Sequence, residues 1–251
     1  MGRWGWLVGL CALPLSVIAG EPVTVAVASN FSHAARELAT AFEAAHGHPV
    51  RLSLASSGKL YAQIVHGAPF DIFLSADAQR PKQLERDGRV VPGSRVTYAT
   101  GRLVLWSVDR RYHGRDCPAE LKAGNIDRLA LANPAIAPYG EAAMQTLAAI
   151  GVDTEALASR MVMGESVAQT LQFVASGGVS MGFVAAAQLH QETVPSGTCA
   201  WFVPASLHAP IEQQAVLLRR AAGRPAATAF MTFLASDRAR AIISSHGYGS
   251  D

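Results

Sequence analysis

Short apolar runs alternate along this chain with stretches whose apolar residues recur every third or fourth position. That alternation predicts strands and helices in turn. Residues 22–28 are nearly continuous apolar, as in a strand covered on both faces of a parallel sheet. Residues 33–45 carry Ala34, Leu38, Phe42 and Ala45 at helical spacing, and Gly47 closes that helix. Residues 49–54 predict a second strand. A second helix runs from Leu60 to the stop at His66-Gly67, and residues 70–75 predict a third strand. Residues 76–87 form a charged helical stretch that Pro81 starts or kinks. The order β-α-β-α-β-α points to a doubly wound α/β sheet with right-handed crossovers.

A second set of units follows. Residues 98–108 read as one long strand, and residues 128–132 as another before Asn133-Pro134. A helix then reaches Ile150 and stops at Gly151. Residues 161–163 predict a short strand, followed by a helix to Ala175 that Gly177-Gly178 ends. Strands are predicted at 180–185, 198–203 and 213–218, and helices at 225–236 and 238–245. Extended segments near 97–103 and 203–212 join the two sets, so the chain divides into two lobes with two crossings. The expected division is residues 21–98 with 206–251 for the first lobe and 99–205 for the second. A cleft between such lobes, facing the carboxyl ends of strands, is where a small ligand binds.

The first twenty residues are a different material. Arg3 is their one charged side chain, and an apolar run from Trp6 to Ile18 ends in Ala19-Gly20. Residues 1–20 read as a secretory signal, too short for a comfortable membrane span, with cleavage expected after Ala19 or Gly20. Cys11 lies deep in that run and makes a poor lipid-attachment site. The chain of 251 residues carries a net charge of +2, and removing Arg3 from its 21 basic residues leaves 20 against 19 acidic ones. The densest basic cluster is Arg110-Arg111 with Arg115, which gives no support to nucleic acid as a partner. Cys117 and Cys199 remain after cleavage and could pair in an oxidising compartment, but sequence does not bring their Cα atoms together.

Four strand-to-helix junctions share one chemistry: Ser29-Asn30, Ser56-Ser57-Gly58, Pro138-Tyr139-Gly140 and Ser166-Val167. The first turn of a helix leaves backbone N–H groups without acceptors and carries partial positive charge. Each junction adds a neutral hydroxyl or amide. None carries an arginine, and Lys59 is the one nearby cation. Gathered into one cleft, they would form a donor-only cage for an anion with several oxygens. Such a cage also selects protonation state. An O–H on the anion would face a donor and leave it unpaired, at a cost of roughly 1–3 kcal/mol.

The segments 25–31, 54–60, 67–77 and 133–140 closely resemble the periplasmic molybdate-binding proteins of ABC importers, and the likeness extends to Gly247-Tyr248-Gly249. The resemblance implies a two-lobed periplasmic-binding-protein fold of type II, each lobe a β-sheet flanked by helices. It implies molybdate or tungstate as ligand, the membrane subunits of an importer as partner, no cofactor, and a monomer in the periplasm. Carried over by position, Ser29 and Asn30 supply donors from the first junction and Ser57 from the second. Tyr139 gives its hydroxyl, its backbone N–H, or both, and Val167 its backbone N–H. One position departs: some members place a ligand tyrosine where this chain has Ala185, and Tyr139 takes over that role in members with a Pro-Tyr-Gly segment.

Plainer roles compete for the same residues. Serines at helix starts are ordinarily caps, Tyr139 could be a packed aromatic, and Val167 could be a core residue that lends only its N–H. Asp71 and Asp77, beside a buried strand, read as capping or loop-holding carboxylates. His46 and His48 flank Gly47 without a third metal ligand in register. Ser57-Gly58-Lys59 lacks two parts of a phosphate-binding loop, since Ser53 replaces the early glycine and Leu60 the Mg²⁺-binding hydroxyl. Gly164-Glu165-Ser166-Val167-Ala168 lacks the last glycine of a nucleophile elbow, so a serine hydrolase using Ser166 is the enzyme alternative to a binding protein. Among binding proteins, the alternative is a receptor for sulfate or another tetrahedral oxyanion.

Overall fold

Two five-stranded sheets organise the chain in the computed structural model, which describes residues 21–190 and 193–249. The expected leader, residues 1–20, lies outside the described residues. The chain runs β1 (Val23–Ala28), α1 (Ser32–His46), β2 (Val50–Ala55), α2 (Ser57–Val65), β3 (Ile72–Leu74), α3 (Gln79–Arg86) and β4 (Val96–Gly101). It continues through β5 (Leu103–Ser107), α4 (Cys117–Lys122), β6 (Leu129–Ala132), α5 (Pro138–Ala149), α6 (Thr154–Leu157), β7 (Met161–Gly164), α7 (Val167–Ala175), β8 (Met181–Ala185) and β9 (Cys199–Phe202). β10 (Ile211–Leu217), α8 (Pro225–Leu234) and α9 (Asp237–Ser245) complete it.

The first sheet has the order β2-β1-β3-β10-β4 and the second β7-β6-β8-β5-β9. In the first, β1 lies parallel to both β2 and β3, while β10 runs antiparallel to β3 and β4. In the second, β6 lies parallel to β7 and β8, and β5 runs antiparallel to β8 and β9. This is the two-lobed α/β architecture expected, each sheet carrying its helices on its faces.

The sequence pattern misjudges two stretches: residues 109 onward, which read as a polar loop, include α4 with Asp116 as its cap, and residues 98–108 read as a single strand. Residues 98–108 are not one strand: the chain breaks at Arg102, with β4 in the first sheet and β5 in the second. A run of apolar residues looks the same for one strand or for two in succession, because periodicity does not register a change of sheet. Pro81, by contrast, sits in the first turn of α3, where a missing N–H costs nothing.

Burial explains the continuous apolar strands. Val23, Val25 and Val27 of β1 pack with Phe31, Leu38 and Phe42 on one face, while Ala26 meets Leu60, Phe73 and Leu84 on the other. In the second sheet Leu129 and Leu131 pack with Leu147 and Phe183, and Ala130 with Trp106 and Val174. Asp71 holds a loop: fully buried, it accepts from the Thr24 N–H and hydroxyl and pairs with Arg220 and Arg224. The two cysteines left open by the sequence are joined. Cys117 and Cys199 form a disulfide with Cα atoms 6.0 Å apart, tying α4 to β9.

Candidate functional site: a neutral cleft of helix starts

The four junctions converge between the sheets. Ser29 and Asn30 lie in a single helical turn (Ser29–Phe31) between β1 and α1, and all three residues of that turn are buried. Ser57 is the first residue of α2, Tyr139 lies in the first turn of α5, and Val167 is the first residue of α7. All five expected residues line one narrow cavity of about 190 Å³ of empty space, joined by Ser56 and Pro138 among others. None of its lining residues carries a formal charge.

Each hydroxyl has a particular disposition. Ser57, 1% exposed, accepts a hydrogen bond on Oγ from the Ala76 N–H at 2.9 Å. That bond fixes the oxygen and leaves the serine's own proton to donate. Ser56 occupies the N-cap position of α2 in extended conformation but caps nothing, and its buried Oγ has no partner. Ser166, the N-cap of α7, does cap: its Oγ accepts from the Gln169 N–H at 3.3 Å. The serine set out as a hydrolase nucleophile is therefore engaged in holding its helix start.

Asn30 gives the cavity less than its side chain suggests. Its amide donates to Gln213 Oε1 at 2.8 Å and to the Tyr248 hydroxyl at 3.2 Å, so both amide protons are engaged. The Tyr248 hydroxyl in turn donates to the Asn30 carbonyl at 2.7 Å. What remains for a ligand at Asn30 is the backbone N–H. Tyr139 is 2% exposed and its hydroxyl has no hydrogen-bond partner. Its ring reaches across to β4, where a Cβ at Gly101 would lie 2.3 Å from Oη. Burial pushes the Tyr139 hydroxyl above the ordinary tyrosine range, and the nearby amides of Asn30 and Gln213 pull the other way without reaching bonding geometry. The phenol therefore stays protonated, and so a donor, at any physiological pH.

Around the cavity the two lobes touch. The Gly58 N–H donates to the Ile136 carbonyl at 2.8 Å, and Arg80 reaches the Ala135 carbonyl at 3.3 Å. Lys59 Nζ lies 2.6 Å from Glu165 Oε2, so the lysine of the second junction is neutralised from the opposite lobe rather than aimed at a ligand. A wider hollow of about 880 Å³ opens beside the cavity, with Asp77, Lys82, Arg86 and Glu141 in its walls. Its mixed charges contrast with the neutral walls of the narrow site. Sequence reasoning missed Gln213 and Tyr98, and named Ser56 and Tyr248 without giving either a part of its own in the site. The signal for Gln213 was there: Glu212-Gln213-Gln214 puts three polar residues in a strand whose other four are apolar.

Known proteins resemble this chain in sequence and fold. Residues 23–249 match the model of a family described as bacterial extracellular solute-binding protein. The molybdate-binding protein ModA of Azotobacter vinelandii is 45% identical over 227 residues, covering 90% of this chain and 89% of that protein. ModA of Rhodobacter capsulatus is 43% identical over 236 residues, with 94% and 91% covered. Among solved structures, the periplasmic molybdate-binding protein of Azotobacter vinelandii superposes with a TM-score of 0.83 at 39% identity, covering 91% of this chain and 99% of that one. The sulfate-binding protein SubI of Mycobacterium tuberculosis, at 14% identity and a TM-score of 0.74, shares the fold alone. On these grounds the chain belongs to the bacterial extracellular solute-binding proteins, within their family of periplasmic molybdate-binding proteins.

Proposed function

We propose that this protein captures molybdate, and tungstate with it, in the periplasm and delivers the anion to the membrane subunits of an ABC importer, acting as a monomer without a cofactor. The observation that carries this reading is the neutral cavity itself, walled by helix starts from both lobes. Backbone N–H groups of Asn30, Tyr139 and Val167, with the hydroxyls of Ser29, Ser57 and Tyr139, are the donors assigned to the anion. Helix-start N–H groups replace formal counter-charges. A doubly deprotonated tetrahedral oxyanion accepts from all of them, whereas a protonated one would leave a buried donor unpaired. Because the donors come from two lobes, the anion favours the closed state by its differential affinity for it.

Calorimetric titration of ligand-free protein with molybdate, tungstate, sulfate and phosphate tests this. Molybdate and tungstate are expected to bind tightest, sulfate more weakly because its shorter bonds leave donors out of reach, and phosphate weakest because it carries a proton near neutral pH. Sulfate binding as tightly as molybdate would overturn the assignment.

A further inference from the structure

Gln213 is fully buried on β10, next to the one register shift between β10 and β4. That shift lies between Gln213 and Gln214, and both side chains are buried rather than alternating to opposite environments. The Gln213 carboxamide is held at its oxygen end: Oε1 accepts from Asn30 Nδ2 at 2.8 Å, with the Tyr98 hydroxyl 3.2 Å away and sharing its one proton with the Ser75 carbonyl at 3.1 Å. Its other end, Nε2, is buried and unpaired, as is the Tyr139 hydroxyl. Fixing Oε1 fixes the plane of the amide, and so the direction of the Nε2 protons.

We propose that Gln213 is a positioning residue of the anion site: its Nε2, unpaired in this structure, comes to donate to Tyr139 Oη when the anion is bound, which turns the single phenolic proton of Tyr139 toward the anion. The inference rests on the receptor reading above. It accounts together for two buried polar atoms that otherwise lack partners, a combination that folded proteins avoid. It also explains a fully buried glutamine on β10. A phenol offers one proton and accepts on its oxygen. Unless the oxygen is held by a donor, that proton is free to turn toward the Gln213 or Asn30 carboxamide instead of the ligand. The groups facing Gln213 that titrate are Tyr98, Tyr139 and Tyr248, all pushed upward by burial, with Asp77 close to Tyr98.

The test is a double-mutant cycle read by molybdate calorimetry, with Gln213→Glu and Tyr139→Phe. Glutamate keeps an acceptor for Asn30 and Tyr98. It loses the donor when ionised and regains one when protonated. Gln213→Glu is expected to weaken binding at least about tenfold near pH 8 and to recover near pH 5.5, while the wild type stays level. In the Tyr139→Phe background the same change is expected to cost less than about threefold. If Gln213→Glu does not fold by circular dichroism, Gln213→Met is read in the same cycle at one pH, with the same non-additivity expected. Additive losses, or no loss, overturn the role of Gln213 while leaving the receptor intact. A wild-type protein that binds none of the oxyanions overturns both.

Discussion

Helices α2 and α7 face each other across the cleft, and each begins after an extended serine, Ser56 and Ser166. Ser166 caps its helix, so the second lobe meets the cavity with a backbone N–H at Val167 and an apolar side chain turned to the core. Ser56 does not cap, and Ser57 anchors its oxygen on the Ala76 N–H, so the first lobe meets the cavity with hydroxyls. The first wall offers serine hydroxyls beside the Asn30 N–H, and the second offers main-chain N–H groups with one side-chain hydroxyl, that of Tyr139. The two walls should therefore differ sharply in what substitution can do to them. A backbone donor survives any replacement that preserves the helix start, whereas a hydroxyl is lost with its residue.

The largest expected difference between the lobes is in stability. The second lobe is closed by the Cys117–Cys199 disulfide across 82 residues, and among the described residues the first lobe has no such link. Cys199→Ser should cost about 4 kcal/mol by loop-closure entropy, measured by urea unfolding, with the loss confined to protein prepared under oxidising conditions. Next comes the side-chain wall. Ser57→Ala should weaken molybdate binding by roughly 1–3 kcal/mol in calorimetry. It should also lower the melting temperature of ligand-free protein, because the buried Ala76 N–H loses its acceptor. Affinity and stability both unchanged would remove Ser57 from the wall.

Smaller effects probe the rim and the main-chain wall. Lys59→Met removes the ion pair with Glu165, whose side chains are 43% and 69% exposed. It should weaken binding by less than about 1 kcal/mol, with the difference fading at high salt. A large, salt-insensitive loss would mean that Lys59 acts on the anion directly. Smallest of all, Val167→Ala should change affinity by less than about 0.5 kcal/mol, since the helix start and its N–H remain. A loss as large as that of Ser57→Ala would end the distinction between the two walls.

Much of this was legible in the sequence, for physical reasons that also explain what was not. Strand-to-helix junctions announce themselves, since a serine or glycine between an apolar run and an amphipathic one is local chemistry. Hence Ser29, Asn30, Ser57, Tyr139 and Val167 could all be placed at helix starts, and the structure brings them to one cavity. The break at Arg102 could not be read, because changing sheets leaves no mark on the periodicity of residues 98–108. Nor could the Cys117–Cys199 pairing, which depends on two elements 82 residues apart. Lys59, the nearby cation of the second junction, lies at the rim, paired with Glu165. That role depends on Glu165 of the other lobe, and no local pattern could supply it. Gln213 passed unremarked within the polar run Glu212-Gln213-Gln214, because its meaning required knowing that Asn30 and Tyr98 sit beside it.

Tyr248 carries one last implication. Its hydroxyl fastens to Asn30, 218 residues earlier, while Gly249 bridges to Thr100. A chain delivered from its N-terminus therefore lacks this fastening of the Asn30 wall until those last described residues have emerged. Any polypeptide cut short of Tyr248 would be left with a loosened receptor. Truncation before Tyr248 would remove both the acceptor of one Asn30 amide proton and the donor to its carbonyl.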